Sequence, residues 1–451
     1  MAERLRGPLL TLAAASLLVV LLSVASVAAG GGHSAAACAF LRTPSAYEAG
    51  ETRAIYLGTI EAAALDALFP GDPYFGLPPV EFGVRGERTD GSRRVPATLL
   101  KAIAWEESTL TMASRATHFE STGTALVSFD CGHGVMQVTT GMTVPLGIGG
   151  VPSSRQVNVA THFGYNIARG AVILADKWNA ASGTRPVVGI DTGSNPTLVE
   201  NWYFATWGYN GFAGPGSFSS NHPQDPSFGA WPRPAYRCDG TQSRRRYPYQ
   251  ELVWGCMASP PARDGAPLWR PVAATLPDLS QPQFFEPLSL RNWLFPYNGM
   301  DIPTPQPPHA DIIIGFQSGG RELVARTPGL AVNERSVLIQ LNGLPQAQRA
   351  EVEIENTGGG ILSWIATSDD AWIVVDPPAG VALGPDVACE APECDHPATI
   401  TVTVNPTLLA KASTVGAVRI VATNAALAAW SLRVEVDADF EVAAPGTSRA
   451  D

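Results

Sequence analysis

The sequence predicts a multidomain protein in which a mainly α N-terminal domain is followed by an all-β sandwich. The chain has 451 residues, which exceeds the ~100–200 residues of most single domains. Apolar residues recur at helical spacing between about residues 95 and 209, whereas apolar and polar residues alternate after about residue 330. Hydrophobic residues make up 45% of the chain and charged residues 16%, so we expect the chain to fold.

The first 37 residues predict export. Arg4 and Arg6 precede an uncharged apolar run over residues 9–29, which is the layout of a secretory signal peptide. A run of about 20 residues can also cross a bilayer, so an N-terminal membrane anchor is an alternative. Lipidation is a third, because the segment 35–38 resembles a lipoprotein box. We expect a protein of the cell envelope or the extracellular space.

Six cysteines predict disulfides in an exported protein. Cys238/Cys256 and Cys389/Cys394 are the near pairs in sequence, which leaves Cys38 with Cys131 if Cys38 survives processing. Sequence alone does not decide between the possible pairings. There is no Cys-x-x-Cys or His-x-His cluster, so we expect no metal site and no cofactor.

The net charge of −11 excludes one class of partner. The sequence contains no basic stripe or tail of the kind that follows a phosphate backbone, so nucleic acid is not expected to bind. Acidity also disfavours non-specific attraction to anionic wall polymers. Recognition of a glycan would then depend on shaped pockets and stacking.

Helical periodicity is clearest within residues 47–260, the predicted N-terminal domain. Residues 95–105 are good helix formers with a proline in the first turn. A second helix is predicted over 166–178, and a third begins at Asn195-Pro196 and runs to Tyr209. Residues 211–269 lack periodicity, and we expect them to form surface structure held by the Cys238/Cys256 pair.

The C-terminal half divides into a connector, a sandwich and a tail. Proline recurs through residues 261–329, which predicts a semi-rigid linker. Residues 330–440 form the predicted sandwich, and 441–451 a disordered tail. Six strands are expected there, at 337–341, 350–355, 372–375, 398–404, 418–421 and 432–436.

Two adjacent glutamates at the end of the first helix are candidate acid/base groups. Glu107 lies on the side of Leu100 and Ile103, and Glu106 shares a face with Leu99 and Ile103. Helix periodicity therefore does not decide between them. Burial against apolar neighbours raises the pKa of a glutamate, which would let it donate a proton near neutral pH.

Three segments in order carry a resemblance to a known family. Ala104-Trp105-Glu106-Glu107-Ser108, Gly132-His133-Gly134-Val135-Met136-Gln137-Val138-Thr139 and Tyr209-Asn210-Gly211 resemble the soluble lytic transglycosylases, which have lysozyme-like folds. In that family the Glu directly followed by Ser is the catalytic residue, so the resemblance selects Glu107. It also implies substrate-binding roles for Ser108, Met136, Gln137, Tyr209 and Asn210. The resemblance covers about residues 95–211, and it departs from the family at Cys131-Gly132 and at Gly208.

The resemblance implies cleavage of the β-1,4 bond between MurNAc and GlcNAc in peptidoglycan. Glu107 would protonate the glycosidic oxygen and then deprotonate the muramoyl 6-hydroxyl, leaving a 1,6-anhydro end. If Asp130, Asp176 or Asp191 supplied a second carboxylate, the enzyme would instead be a hydrolytic muramidase. A third alternative is a non-catalytic protein that binds wall glycan or mediates adhesion.

Aromatic residues suggest further contacts. Trp105, Trp202 and Trp207 are candidates for stacking on sugar rings, although core positions are the alternative for at least two of them. Residues 353–364 and 372–380 resemble bacterial immunoglobulin-like modules of the BACON kind. That resemblance implies a spacer or a weak binder of envelope polysaccharide or protein, with Trp364 and Trp372 in its core.

Overall fold

The computed structural model describes residues 38–82, 89–143, 145, 147, 150–180, 195–211, 220–279, 309–311, 319–341, 348–389, 397–411, 413–426 and 429–437. The predicted signal or anchor at 1–37 and the predicted tail at 441–451 lie outside these residues. No helix in the described part of the chain is long and apolar enough to cross a membrane.

Seven α-helices lie in the described residues: α1 (Ala54–Ala64), α2 (Ala97–Ser108), α3 (Ser154–Thr161), α4 (Phe163–Asn179), α5 (Tyr203–Tyr209), α6 (Tyr249–Ala258) and α7 (Gly320–Val324). The first two predicted helices are present as α2 and α4. The third starts later than predicted, because a 3-10 turn at Val199–Trp202 leads into α5. Helix α6 lies within the stretch that the sequence assigned to surface structure.

Helix α2 is nearly enclosed by the rest of the protein. Pro96 caps its start, and its end is marked by Thr109 in the left-handed conformation. Every residue of α2 except Trp105 and Glu107 is buried. The buried Lys101 is neutralised by an ion pair with Glu61 of α1, as burial of a charged side chain requires. The two residues of α2 that are not buried therefore lie toward its C-terminal end.

The described strands are β1 (Ser45–Glu48), β2 (Glu81–Phe82), β3 (Thr89–Asp90), β4 (Ser121–Thr124), β5 (Ala262–Arg263), β6 (Ala266–Pro267), β7 (Leu330–Val332), β8 (Ser336–Gln340), β9 (Gln348–Asn356), β10 (Ile361–Thr367), β11 (Ile373–Asp376), β12 (Ala379–Leu383), β13 (Ala398–Val404), β14 (Ser413–Ala422) and β15 (Ala429–Asp437). Strands β1 and β4 pair antiparallel across the first part of the chain. All six strands predicted after residue 330 are present, together with β7, β10 and β12.

Two sheets form a β-sandwich at the C-terminal end. The five-stranded sheet has the order β12-β10-β14-β15-β8, and the four-stranded sheet has the order β11-β13-β9-β7. Pairing within them is antiparallel, except that β15 and β8 run parallel. The core between the sheets includes Trp364, Ile400, Val402, Ile420 and Val434. Apolar and polar residues alternate along β13 and β15 because one face of each strand meets water.

The sandwich packs directly on the first part of the chain. Strands β10 and β12 contact α3, and β12 also contacts β1. Thr161 Oγ1 donates to Ser363 Oγ at 3.2 Å, and Thr423 Oγ1 donates to Asn158 Oδ1 at 2.5 Å. Side chains of β10 and β12 thus belong to the same apolar core as the helices.

The predicted linker 261–329 also makes contacts in its described parts. Trp269 is buried in the core of the first part of the chain. Ala310 forms a β-bridge with Leu198, and Asp311 Oδ2 accepts a hydrogen bond from the backbone N–H of Thr98 at the start of α2. These contacts fix the N-terminal end of α2.

The fold class predicted from the sequence, a mainly α lysozyme-like domain followed by an all-β sandwich, is wrong. The described chain mixes α and β structure. It has seven short helices, and about as many of its residues lie in strands as in helices. Most described residues between 38 and 279 lie in turns and irregular segments. The helical periodicity correctly predicted helices, but these helices are short. Stretches rich in Gly and Pro, which end helices, separate them.

Candidate active site

Glu107 is partly exposed at the C-terminal end of α2. Its Oε1 accepts a hydrogen bond from the Tyr249 hydroxyl at 2.5 Å. Burial raises the pKa of Glu107 to about 7, although the Tyr249 hydrogen bond lowers it; the charges of Glu106 and Asp130 raise it, and that of Arg244 lowers it. A carboxyl group with this pKa is populated in both protonation states near neutral pH.

The sequence did not predict a role for Tyr249. It is the first residue of α6, which follows Pro248 and packs against α2. A signal for this helix was present, since Tyr249, Leu252, Val253 and Cys256 recur at spacings of a buried helical face. Prolines and arginines just before the segment concealed it.

Glu106 faces the interior on the other side of α2. Its Oε2 lies 2.6 Å from Nη2 of Arg244, and the same Nη2 donates to the Glu106 carbonyl oxygen at 2.7 Å. Burial raises the pKa of Glu106, whereas Arg244 lowers it. The two neighbouring glutamates therefore have different surroundings: one is ion-paired inside the protein and the other faces an opening.

The Cys238–Cys256 disulfide packs against Glu106. It and Cys38–Cys131 are two of the predicted pairs; Cys389 is also disulfide-bonded, and Cys394 lies outside the described residues. Ligand atoms of Glu106, Cys238 and Cys256 lie within 4.8 Å of one another. Because the two sulfurs are joined to each other, they cannot serve as thiolate ligands, and the cluster is not a zinc-type site.

Ser108 connects the glutamate helix to the Gly132–Gln137 segment. Its side chain is buried, and its Oγ lies 2.8 Å from the Val135 carbonyl oxygen and accepts from the Thr111 N–H at 3.0 Å. Asn166 holds the same segment from α4, accepting from the Met136 N–H at 2.9 Å. The predicted binding residue Ser108 thus positions backbone and offers no free group to a ligand.

Met136 and Gln137 have different surroundings. Met136 is fully buried and packs against Gly170, where a side chain would come within 2.5 Å of Met136 Cγ. Gln137 is partly exposed, and its Nε2 donates back to the Gly134 carbonyl at 2.9 Å. The Met136 side chain is therefore enclosed by the protein, whereas the partly exposed Gln137 is held by its own segment.

Tyr209 lies close enough to Glu107 for the two groups to interact electrostatically. Its hydroxyl donates to the Met136 carbonyl at 2.8 Å. Burial is the larger cause of the raised pKa of Tyr209, and the charge of Glu107 is the second. Asn210 is exposed, and its Oδ1 accepts from Asn221 at 3.0 Å. The structure therefore brings Glu107, Tyr209 and Tyr249 together, with Asn210 at the edge.

Of the two candidate second carboxylates within the described residues, Asp130 is the one whose charge acts on Glu107. It is exposed and accepts a hydrogen bond from Ser128 Oγ at 2.5 Å. Asp176 is also exposed, on α4, and Asp191 lies outside the described residues. Among the candidate stacking residues, Trp202 and Trp207 are fully buried. Trp105 remains partly exposed next to the glutamates.

Comparisons with known proteins assign no family. No family model matches the chain, and no curated protein matches it. Solved structures similar to part of it include a Porphyromonas gingivalis W83 protein of unknown function, with 16% identity over 25% of this chain and 48% of that chain, at a TM-score of 0.21. The periplasmic chaperone SfaE matches with 12% identity over 26% of this chain and 60% of that one, at a TM-score of 0.20.

A xyloglucanase of Bacteroides ovatus from glycoside hydrolase family 5 is also similar, with 11% identity over 25% of this chain and 19% of that chain, at a TM-score of 0.17. In these three comparisons the match spans less than two thirds of the other protein. None of the three is described as a lysozyme or a transglycosylase. Similarity at this level carries no inference about function.

Proposed function

We propose that this protein is an exported enzyme that cleaves peptidoglycan glycan strands by lytic transglycosylation, with Glu107 as acid and base. The observation that carries the proposal is the environment of Glu107: a partly exposed carboxyl group at the end of a buried helix, with a pKa of about 7. One such group can donate a proton in the first step and accept one in the second. The resemblance of the surrounding segments supplies the substrate class.

In the first step protonated Glu107 donates its proton to the glycosidic oxygen, and the bond from that oxygen to C1 of MurNAc breaks. The 6-hydroxyl of the same MurNAc then attacks C1, and the Glu107 carboxylate takes up the hydroxyl proton. The products are a 1,6-anhydro-MurNAc end and a free GlcNAc 4-hydroxyl. No water is consumed, so no second carboxylate has to activate one, unlike in an inverting glycosidase.

Tyr249 assists by donating to Glu107 Oε1. A hydrogen bond to the ionised form stabilises the carboxylate that exists between the two proton transfers. Desolvation acts in the opposite direction and keeps the acid protonated at the start. The balance of the two places the pKa near the working pH.

Asp130 supports a second candidate function, hydrolytic muramidase activity. Its charge raises the pKa of Glu107, so it is close enough to act electrostatically on the site. Asp130 is exposed, and an exposed carboxylate could hold a water for attack on C1. We rank this reaction second because Asp130 is held in its own turn by Ser128.

The test uses the full chain, exported to an oxidising compartment and incubated with purified peptidoglycan, and the soluble fragments are analysed by mass spectrometry. We expect 1,6-anhydro ends from wild type. Glu107→Gln should reduce their release about 10²- to 10⁴-fold, the usual contribution of an acid/base group. The matched control is Glu51→Gln, which removes an exposed carboxylate paired with Arg263.

Three results would contradict parts of the proposal. Hydrated reducing ends would identify a muramidase. Binding to peptidoglycan with no release of fragments would identify a non-catalytic wall-binding protein. Full activity in Glu107→Gln together with loss in Glu106→Gln would show that the acid had been assigned to the wrong glutamate.

A further inference from the structure

Two exposed apolar side chains mark a cavity near the candidate active site. Leu41 is 82% exposed and Phe129 is 87% exposed, the highest values among large hydrophobic side chains in the described residues. Both line one cavity of about 550 Å³, together with Phe40 and Val127. Exposed apolar side chains that share a concave surface are typical of a binding site.

Phe129 is displayed on a fixed turn. The Ser128 N–H donates to the Gly132 carbonyl at 2.9 Å, and the Cys131 N–H donates to the Ser128 carbonyl at 3.1 Å. The Cys38–Cys131 disulfide ties this turn to the segment that carries Leu41. Both walls of the cavity are therefore held in place before a ligand arrives, which reduces the entropy lost on binding.

The turn that lines the cavity is linked to the surroundings of Glu107. Asp130, the residue after Phe129, lines the cavity, and its charge is felt at Glu107. The same turn leads through the Val127–His133 β-bridge into the segment that Ser108 holds. Phe129 is therefore adjacent in the chain to a residue that acts electrostatically on Glu107.

Another residue that lines the cavity contacts the β-sandwich. Arg42 lines the cavity, and its Nη1 donates to the Val375 carbonyl of β11 at 3.1 Å. The cavity is thus lined by one residue whose charge acts on Glu107 and by one that contacts the sandwich.

The lining has the chemistry of a sugar-binding surface. A pyranose ring has an apolar C–H face, which packs on an aromatic or aliphatic side chain, and a rim of hydroxyls, which need hydrogen-bonding groups. Phe129 and Leu41 supply the first, and Arg42 and Asp130 supply the second. A lipid chain would not satisfy these charged groups.

We propose that Leu41 and Phe129 form a sugar-binding platform that extends the Glu107 site and holds a ring of the same glycan strand away from the bond that is cut. This inference rests on the proposed function for the identity of the glycan. It adds a preference for long strands over short fragments. Binding energy gained at a distant ring is available to position the reacting bond.

The test compares kcat/KM on long peptidoglycan strands with kcat/KM on a peptidoglycan tetrasaccharide. We expect Phe129→Ala to lower the long-to-short ratio about tenfold, the effect of losing one well-packed aromatic contact. Leu41→Ala should act in the same direction, and Phe129→Trp should keep the ratio because the stacking face remains. Phe82→Ala is the matched control, since Phe82 is 44% exposed on strand β2 and does not line the cavity.

A second measurement separates this inference from the proposed reaction. Binding of Glu107→Gln to purified peptidoglycan is measured with and without Phe129→Ala, and we expect about tenfold weaker binding with it. If wild type cuts no strands but this binding difference is found, the proposed reaction fails and the platform stands. If strands are cut and Phe129→Ala changes neither the ratio nor the binding, the platform is wrong.

Discussion

Glu106 and Glu107 are adjacent on α2, but successive side chains of a helix point about 100° apart. Glu106 is directed inward, where Arg244 compensates its charge. Glu107 is directed toward the opening beside Tyr249 and Tyr209. Since the charges of Glu106 and Arg244 act on Glu107 in opposite directions, burial is left as the main cause of its raised pKa.

The raised pKa of Glu107 predicts a pH-dependent stability. The folded state holds this proton up to a pKa of about 7, against an ordinary value of 4.5. The stability that Glu107 contributes is therefore complete below about pH 4.5 and is lost as the pH rises through about 7, by about 3 kcal/mol. Because glutamine does not titrate, the free energy of unfolding of Glu107→Gln should rise by about 3 kcal/mol relative to that of wild type between pH 4 and pH 8.

Urea unfolding at the two pH values measures this difference, and Glu51→Gln controls for the loss of one negative charge. If the stability difference between Glu107→Gln and wild type does not change with pH, then burial does not raise the pKa of Glu107. This measurement requires no substrate. It tests the environment of Glu107 independently of the proposed reaction.

Tyr249→Phe predicts a change in the pH profile of cleavage. The Tyr249 hydroxyl lowers the pKa of Glu107 by donating to its carboxylate, so its removal should raise that pKa. The alkaline limb of kcat/KM should then move upward by about one pH unit, the effect of one hydrogen bond to a charged group. Tyr209→Phe is the matched variant, because its hydroxyl donates to a backbone carbonyl instead.

The pH profile of cleavage, measured for both tyrosine variants, decides this prediction. Tyr209→Phe should move the alkaline limb by less than Tyr249→Phe does. An unchanged or lowered limb in Tyr249→Phe would show that the hydroxyl does not stabilise the Glu107 carboxylate. A loss of rate at all pH values without any shift would assign Tyr249 a role in binding instead.

At the scale of elements, α6 is placed by three separate contacts. The Cys238–Cys256 disulfide fixes one turn of the helix, and Arg244 just before the helix is ion-paired with Glu106 of α2. Gly255 allows close packing, since a side chain there would lie 2.4 Å from the Tyr236 carbonyl oxygen. These contacts hold Tyr249 within hydrogen-bonding distance of Glu107. The structural role of Glu106 is thus to position the helix that carries Tyr249.

Strands were predictable from sequence where one of their faces meets solvent. β13 and β15 alternate apolar and polar residues, and both were predicted. β10 and β12 were missed because both of their faces are buried. Ile361 and Ile365 of β10 face the helices, whereas Leu362 and Trp364 face the other sheet. A strand covered on both sides loses the period of two that identifies it.

The candidate site was predictable in its order along the chain but not in its side-chain directions. Glu107 was selected through the following Ser108, and the structure gives that serine a backbone-holding role. Met136 was expected at the ligand but points into the core, because Gly170 leaves space for it there. Tyr249 lies far along the sequence from Glu107, and nothing in local spacing relates the two residues.

At the scale of the whole molecule, the sandwich and the first part of the chain share a core. Ile361, Ile365 and Val381 of the sandwich pack with the helical residues, and hydrogen bonds join Thr161 to Ser363 and Asn158 to Thr423. A sandwich attached only through a linker would bury its apolar residues between its own sheets. Here one face of the sandwich also completes the apolar core of the part that contains Glu107.

The shared core predicts cooperative unfolding of the two parts. We expect calorimetry of the full chain to show one main transition, because unfolding of either part exposes apolar surface of the other. Ile361→Ala removes a buried side chain at the junction and should destabilise the whole transition by about 2–5 kcal/mol. Val418→Ala, in the core between the sheets, is the matched variant and should lower the same transition.

Two transitions, only one of which moved in Val418→Ala, would show that the parts unfold independently. A single transition lowered by both variants would instead mean that the sandwich supports the helices around Glu107. In that case a fragment ending at residue 329 should lose cleavage activity although every residue near Glu107 is retained. The reason is that such a fragment would expose the apolar surface of α3 and β1 that β10 and β12 cover.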